Sequence, residues 1–172
     1  SVNGSSAEFG PVAAADVYYA STSSGSANGM SGSQMRIKLA KDQSYGSSLA
    51  VLNPAVGKSD NETIALQYLA GVATLEVTGP HNLREIVLAG KGNTRLAGNG
   101  VVDMTTDTYR MSLNADASKE VRIDCGTAGV DVTNGVTFRF VIPADNYSNG
   151  FTVSMTDTNG QVFSEDIDGG TV

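Results

Sequence analysis

The sequence contains no tryptophan, only one cysteine and only one histidine in 172 residues. The single cysteine, Cys125, excludes an intramolecular disulfide and any CxxC-type metal site. The single histidine, His81, allows at most one histidine-dependent dyad or triad. The missing tryptophan removes the largest aromatic platform that a sugar-binding cleft can present.

Positive charge is also scarce. The chain carries 11 Lys and Arg against 18 Asp and Glu, a net charge of -7. The basic residues are scattered, and binding to phosphates needs a surface rich in Lys and Arg. The sequence therefore excludes nucleic acid as a partner. No apolar run approaches the ~20 residues of a membrane helix, and no signal peptide is visible. We expect a protein that is not integral to a membrane.

The composition favours strands and turns. Hydrophobic residues make up 40% of the chain, enough for a core, and the charged fraction of 17% is low. Ser, Thr, Asn and 20 Gly take the place of the missing charges. The length of 172 residues predicts one domain covering residues 1–172.

Apolar and polar residues alternate with a period of two through most of the chain, which predicts antiparallel strands with one buried face. In "SQMRIKLA", for example, Met35, Ile37 and Leu39 share one face. The predicted core stripe consists of Ile64, Leu66, Tyr68, Leu75, Val77, Val121, Ile123, Phe138, Phe140, Phe151 and Val153. The sequence thus predicts an all-β fold, an antiparallel β-sandwich of about seven to ten strands.

Turn residues separate the alternating runs. Asn159–Gly160 predicts a hairpin, and Thr133–Gly135 and "AGNG" at 97–100 predict further turns. Pro80 and Pro143 fall where strands are predicted to end, because the N–H that proline lacks is little needed for strand pairing there. The stretch from Ser23 to Ser33 is rich in Gly and Ser and predicts an exposed loop.

No nucleophile stands out. His81 follows a proline in "TGPHN" and is expected to be a polar turn residue. Cys125 shares a strand face with Val121 and Ile123, so we expect a buried structural thiol and no Cys–His dyad. No P-loop, G-x-S-x-G or H-E-x-x-H motif occurs. We predict no catalytic and no cofactor-binding residues.

Two groups of acidic residues are candidates for a metal site or for catalysis. Glu165, Asp166 and Asp168 lie in "SEDIDGG", but the further ligands of a calcium loop are missing, so we expect a solvated acidic tail and no metal. Asp103 and Asp107 are the one candidate glycosidase pair, and carboxylates on a strand and its turn are usually solvated.

Several segments resemble, in order, the fimbrillin-like proteins of Bacteroidetes, which are lipoprotein subunits and tip components of cell-surface pili. The segments are "AEFGPVAAADVYYASTS", "MRIKLAKDQSY", "LQYLAGVATLEVTG", "LREIVLAGKGNTRLAGNGVVD", "VRIDCG" and "FRFVIPADNYSNGFTVSMTDTNGQVF". The last is similar to the closing hairpin of that family. Together they cover almost the whole chain.

The resemblance implies a transthyretin-like β-sandwich, equivalent to the N-terminal domain of a two-domain family member. It implies a non-enzymatic structural or adhesive role in fimbriae, on the extracellular face of a bacterial outer membrane. A lipid anchor on the full-length precursor follows from it, with like subunits and a host or bacterial receptor as partners. It brings no catalytic, metal or cofactor residue to this chain.

The chain also departs from the family. It shows no second sandwich after the closing hairpin, no early Trp-bearing strand and no lipobox cysteine. We therefore expect either a trimmed fragment or a single-domain relative. A sandwich that lacks an edge strand exposes unpaired backbone groups beside an apolar groove, and this favours taking a strand from another chain.

Two other function classes stay open. The alternative is a carbohydrate-binding module of a surface glycan-uptake system, although Tyr68 is predicted to face the core. An enzyme would need Asp103 and Asp107 in a cleft. The available sugar platforms are Tyr18, Tyr19, Tyr45 and Tyr68.

Two kinds of modification are also considered possible from the sequence. The N-glycosylation sequons are at Asn3, Asn61 and Asn146. Arg84 and Lys91 are examples of basic residues expected in loops, where a protease could cleave.

Overall fold

A computed structural model describes residues 2–3, 6–8, 17–22, 29–61 and 63–172. These residues form eighteen strands and one short helix. The all-β class predicted from the alternating pattern is confirmed. No helix within the described ranges is long and apolar enough to cross a membrane.

Half of the strands span only two to four residues, which explains why their number exceeds the predicted seven to ten. In chain order they are β1 (Val2–Asn3), β2 (Ser6–Glu8), β3 (Tyr18–Ser21), β4 (Gly29–Ser31), β5 (Gln34–Leu39), β6 (Asp42–Ser44), β7 (Ala55–Ser59), β8 (Thr63–Ala65), β9 (Gln67–Tyr68), β10 (Ala70–Val77), β11 (Asn82–Gly90), β12 (Gly98–Asp103), β13 (Met111–Leu113), β14 (Glu120–Asp124), β15 (Val130–Asp131), β16 (Val136–Pro143), β17 (Phe151–Asp157) and β18 (Val162–Ile167). Helix α1 (Leu49–Leu52) is a single turn between β6 and β7.

The largest sheet has six strands. Its order is β18-β17-β11-β14-β6, and β15 pairs with the start of β11. All its pairings are antiparallel except the parallel pairing of β14 with β6. The predicted hairpin at Asn159–Gly160 is confirmed, because it joins β17 to β18 and Gly160 adopts a φ of 84°.

A two-stranded sheet of β10 and β16 packs against the six-stranded sheet. Its register runs from Ala70 opposite Pro143 to Val77 opposite Val136. The shared core contains the buried residues Leu83, Ile86, Leu88, Leu96, Val121, Ile123, Val132, Phe138, Phe140, Ile142, Tyr147, Phe151 and Val153, with Ala73, Leu75 and Val77 of β10 packed against them. The core stripe predicted for β14, β16 and β17 is therefore confirmed.

The remaining strands form three smaller sheets, in the orders β13-β12-β5-β4, β3-β7-β9 and β1-β2-β8. A second core cluster draws on β5, β7 and β12 and contains Met35, Ile37, Val56, Leu69, Val102 and Met104. The inward face predicted for "SQMRIKLA" is confirmed, since Met35, Ile37 and Leu39 are all buried. The described strands are thus distributed over five sheets and two core clusters.

Three local predictions were wrong. Tyr68 does not face the core but is 55% exposed, because the strand pattern breaks at Leu66, between β8 and β9. "AGNG" is not a turn, because residues 98–100 begin β12 and pair with β5. The segment from Ser23 to Ser33 is not simply a loop, because β4 lies in it and Gly32, with a φ of 60°, turns the chain into β5. Residues 23–28 of that segment lie outside the described ranges.

Candidate functional site

Two side-chain amides take the place of missing strands at the edges of the two-stranded sheet. Gln43 accepts a hydrogen bond from the Val141 N–H at 3.0 Å and donates one to the Val141 carbonyl at 2.8 Å. Asn53 does the same for Ala70, with distances of 3.0 Å to its N–H and 2.7 Å to its carbonyl. Each amide satisfies both backbone groups of one residue, as a neighbouring strand would.

The Gln43 contact leads to a testable stability prediction. Gln43 is only 2% exposed, so Gln43→Leu should leave the Val141 N–H and carbonyl unsatisfied and lower the free energy of unfolding by about 2 kcal/mol or more. Urea denaturation measures the loss. Gln67→Leu on exposed β9 is the matched control and should change little. Equal losses in both variants would show that the Val141 contact is not what stabilises this edge.

The amide contacts also reveal which backbone groups of β10 point away from β16. Val141 lies opposite Val72, and outward groups recur at every second residue of an antiparallel pair. The outward N–H and carbonyl groups of β10 therefore belong to Ala70, Val72, Thr74 and Glu76. Asn53 satisfies those of Ala70, and the other three residues have no partner for them among the described residues.

A groove of about 290 Å³ runs along this edge of β10. Residues 72–75 form one wall, and the chain from Ile167 to Val172 forms the other. Leu88, Phe140 and Phe151 form an apolar floor. We call this the β10 groove. It presents backbone donors and acceptors that have no partner among the described residues, beside an apolar floor of core side chains.

The second wall of the β10 groove is held by the backbone. Tyr147 N–H donates to the Gly170 carbonyl at 2.8 Å, and Val172 N–H donates to the Asp145 carbonyl at 3.0 Å. The end of this wall packs on Gly71, where a Cβ atom would lie 2.7 Å from a Val172 methyl group. Glycine is needed at position 71 because any side chain would displace the wall.

The opposite edge, along β16, is better covered. A cavity of about 340 Å³ borders Thr137 and Arg139 and is closed in part by α1 and the preceding turn. The Tyr45 ring packs on the Phe138 ring, with 5.4 Å between their centres. Together with the Gln43 contact, these residues shield the β16 edge. Among the described residues, only Asn53 hydrogen-bonds to the β10 edge, at one end of it.

His81 lies beside a carboxylate and an aromatic ring, and within the described part of the chain it contacts no thiol or hydroxyl nucleophile. Its Nδ1 is 3.4 Å from the Asp157 carboxylate, and its ring packs on Phe163 at 4.5 Å. Asp157 is buried, and its pKa is held below the ordinary value, chiefly by the Gln161 N–H and also by the Asn159 N–H and His81. Both N–H groups belong to the turn of the β17–β18 hairpin. The group therefore fastens this hairpin to the start of β11.

Cys125 packs against the main core, on the face predicted for a structural thiol, but it is half-buried rather than buried. Burial, with the nearby negative charges of Asp124 and Glu85, raises the pKa of its thiol to about 11. A thiolate, which is the reactive form, is thereby disfavoured.

Asp103 and Asp107 do not face each other across a cleft. Asp103 accepts hydrogen bonds from the N–H and hydroxyl of Thr105, which lower the pKa of its carboxyl. The Asp107 side chain is 95% exposed and pairs with Lys58 at 3.1 Å. Lys58 also donates to the Met104 and Thr106 carbonyls, so both acids shape one turn.

The acidic residues near the C-terminus are exposed, as predicted, but Glu165 and Asp166 lie in a strand and not in a tail. Glu165 and Asp166 belong to β18 and pair with β17. Asp166 accepts a hydrogen bond from the Thr152 hydroxyl at 2.7 Å and pairs with Lys91 at 3.2 Å. In the described part of the chain, no three His, Cys, Asp or Glu side chains come together as a metal site would require.

The residues singled out for processing have different settings. Arg84 lies within β11, the strand with partners on both sides, and not in a loop as predicted. Lys91 follows the end of β11 and pairs with Asp166. Asn61 and Asn146 are exposed, and the Asn3 side chain lies outside the described part.

The structure favours sugar binding more than the sequence did, because Tyr68 is exposed and not buried in the core. Tyr68 and Tyr109 line one cavity of about 410 Å³, together with Arg110 and Asp145. We call this the tyrosine cleft. Tyr109 is not among the platforms named from the sequence; it is half-buried and packs on the second core cluster while one side borders the cleft. Tyr19 and Tyr45 are also exposed, but neither lines this cleft.

No protein-family model, curated protein or solved structure significantly matches this chain. The proposed family therefore rests on the sequence resemblance alone. The functions of the β10 groove and the tyrosine cleft are inferred from the chemistry of the residues that line them.

Proposed function

We propose that this protein is a non-enzymatic structural and adhesive subunit of the bacterial cell surface, which associates with like subunits by accepting a strand. The β10 groove is the observation that carries the proposal. Val72, Thr74 and Glu76 present outward backbone groups without a described partner, and the groove is lined by apolar residues of the main core. An added strand would satisfy both, because main-chain bonds give it affinity and alternate side chains fill the groove.

The β18 edge of the six-stranded sheet is a poorer acceptor than the β10 edge of the two-stranded sheet. β18 lies at that edge and carries Glu165 and Asp166, with Asp168 immediately after it. Charged side chains on an edge strand oppose pairing with a second copy, since like charges would meet. The β10 edge bears only one charged residue, Glu76, on its exposed face.

The fimbrillin-like resemblance gives the proposal its biological setting. It supports a transthyretin-like sandwich, a lipoprotein precursor and a place in a fimbrium at the outer membrane of a member of the Bacteroidetes. The neighbouring subunit is then the donor of the strand. A host or bacterial receptor is the remaining partner of an adhesive subunit.

Light scattering over a concentration series tests the proposal. We expect the mean mass to rise with concentration, because the groove of one copy accepts a strand of the next. The association should resist added salt, since it depends on backbone hydrogen bonds and apolar burial and not on exposed charges. A strictly monomeric protein up to millimolar concentration would contradict strand acceptance.

A further inference from the structure

The tyrosine cleft continues into a second cavity. Its walls at Met111, Ser112 and Asp145 also border a cavity of about 340 Å³ that is lined by Arg95 and Asn93. Both volumes fall within the range of about 300–1,000 Å³ typical of small-ligand sites. Because the two cavities share these three residues, we describe them as one groove.

The aromatic surface in this groove is available to a ligand. Tyr68 is 55% exposed, and its hydroxyl has no hydrogen-bond partner among the described residues. Tyr109 is held in place because its ring packs on the second core cluster. A flat, fixed ring can pack against the C–H face of a sugar at little cost in conformational entropy.

The groove also holds two cationic groups that form no ion pair within the described part of the chain. Arg110 is exposed and Arg95 half-buried, and neither forms an ion pair with a described residue. Four of the other basic residues, Lys41, Lys58, Lys91 and Arg122, are paired with carboxylates. In a chain of net charge -7, two unpaired guanidinium groups along one groove favour an anionic ligand.

Asp145 adds a hydroxyl acceptor to the same groove. One of its carboxylate oxygens accepts the Asn146 N–H at 2.7 Å, which leaves acceptor capacity on the carboxylate. A ligand that carries both carboxylates and hydroxyls matches an arginine and an aspartate that line the same cavity. A simple anion would match only the arginine.

The walls are rigid before any ligand arrives. The Asn53 amide holds Ala70, directly after Tyr68 and Leu69, and Leu69 N–H donates to the Pro54 carbonyl at 2.9 Å. The Asp145 carbonyl is fixed by the Val172 N–H. A preformed site loses little entropy on binding.

We propose that this groove binds an acidic oligosaccharide, with Tyr68 and Tyr109 packing on sugar rings, Arg110 holding a uronate carboxylate and Asp145 accepting sugar hydroxyls. A peptide strand fits less well. The adjacent edge strand β13 has only three residues, from Met111 to Leu113, and short edges are poor templates for strand addition.

Isothermal titration with oligogalacturonate, a hyaluronan tetrasaccharide, neutral maltotetraose and tetraglutamate tests the assignment. We expect at least one uronate oligosaccharide to bind and maltotetraose to bind at least about tenfold more weakly. Tyr68→Ala and Arg110→Gln should each weaken binding about tenfold or more, while Tyr68→Phe should retain most of it. Tyr45→Ala, which removes an exposed tyrosine outside the groove, is the matched control and should have no effect.

Four outcomes would overturn the proposal. They are no binding of either uronate at millimolar concentration, equal binding of maltotetraose, binding of tetraglutamate as tight as that of the uronates, and loss of binding in Tyr45→Ala but not in Tyr68→Ala. Thermal melts of each variant establish that it is folded, as expected for substitutions at exposed positions. Blocking strand acceptance in the β10 groove should leave oligosaccharide binding unchanged. A failure of subunit association would therefore not affect the outcome of this titration.

Discussion

Phe140→Ala should lower the free energy of unfolding by about 3–5 kcal/mol. Phe140 is 1% exposed and lies in β16, where it pairs with Ala73 and packs in the main core cluster. Truncation removes the buried ring and leaves a cavity between the two sheets that their paired backbones cannot close. Chemical denaturation followed by circular dichroism measures the change.

Phe163→Ala provides the matched control for this prediction. Phe163 is half-buried on the edge strand β18 and its ring contacts His81, so the same chemical change should cost about 1 kcal/mol. If Phe140→Ala also loses less than about 1 kcal/mol, the inward face of β16 is not central to the core.

The periodicity of the sequence was sufficient to predict long strands on the main core. Phe138, Phe140 and Ile142 alternate in a run of eight residues, and one face of that run must be buried wherever it lies. The prediction for Tyr68 failed because the alternation in "NETIALQYL" is broken where the chain changes its strand-pairing partner. β8 pairs with β2 and β9 pairs with β7, so inward positions before Leu66 do not continue after it.

The candidate sites could not be predicted in the same way, because they depend on which strand lacks a neighbour. Nothing in "VATLEVTG" distinguishes an edge strand from a central one. The sequence predicted that an edge would be unpaired, but not that Gln43 and Asn53 would each satisfy one residue of the two-stranded sheet. Those contacts join residues 98 and 17 positions apart. Likewise, the tyrosine cleft joins Tyr68 to Asp145 only after folding.

Thr74→Pro should abolish self-association while leaving the fold intact. The Thr74 N–H points away from β16, so proline removes a donor that only an incoming strand would use. Proline is tolerated on an edge strand when its nitrogen faces solvent. We expect a stability change within about 1 kcal/mol and an association at least about tenfold weaker, because strand addition needs the unbroken row of donors.

Thr137→Pro on β16 is the matched control for this variant. Thr137 is also an exposed threonine whose N–H points outward from the same sheet, but it lies on the edge shielded by Tyr45 and α1. Light scattering and urea denaturation of both variants separate the two edges. Loss of association only in Thr74→Pro would locate strand acceptance in the β10 groove. Equal loss in both would mean that folding of the sheet, and not one edge, governs association, and loss only in Thr137→Pro would place the acceptor along β16.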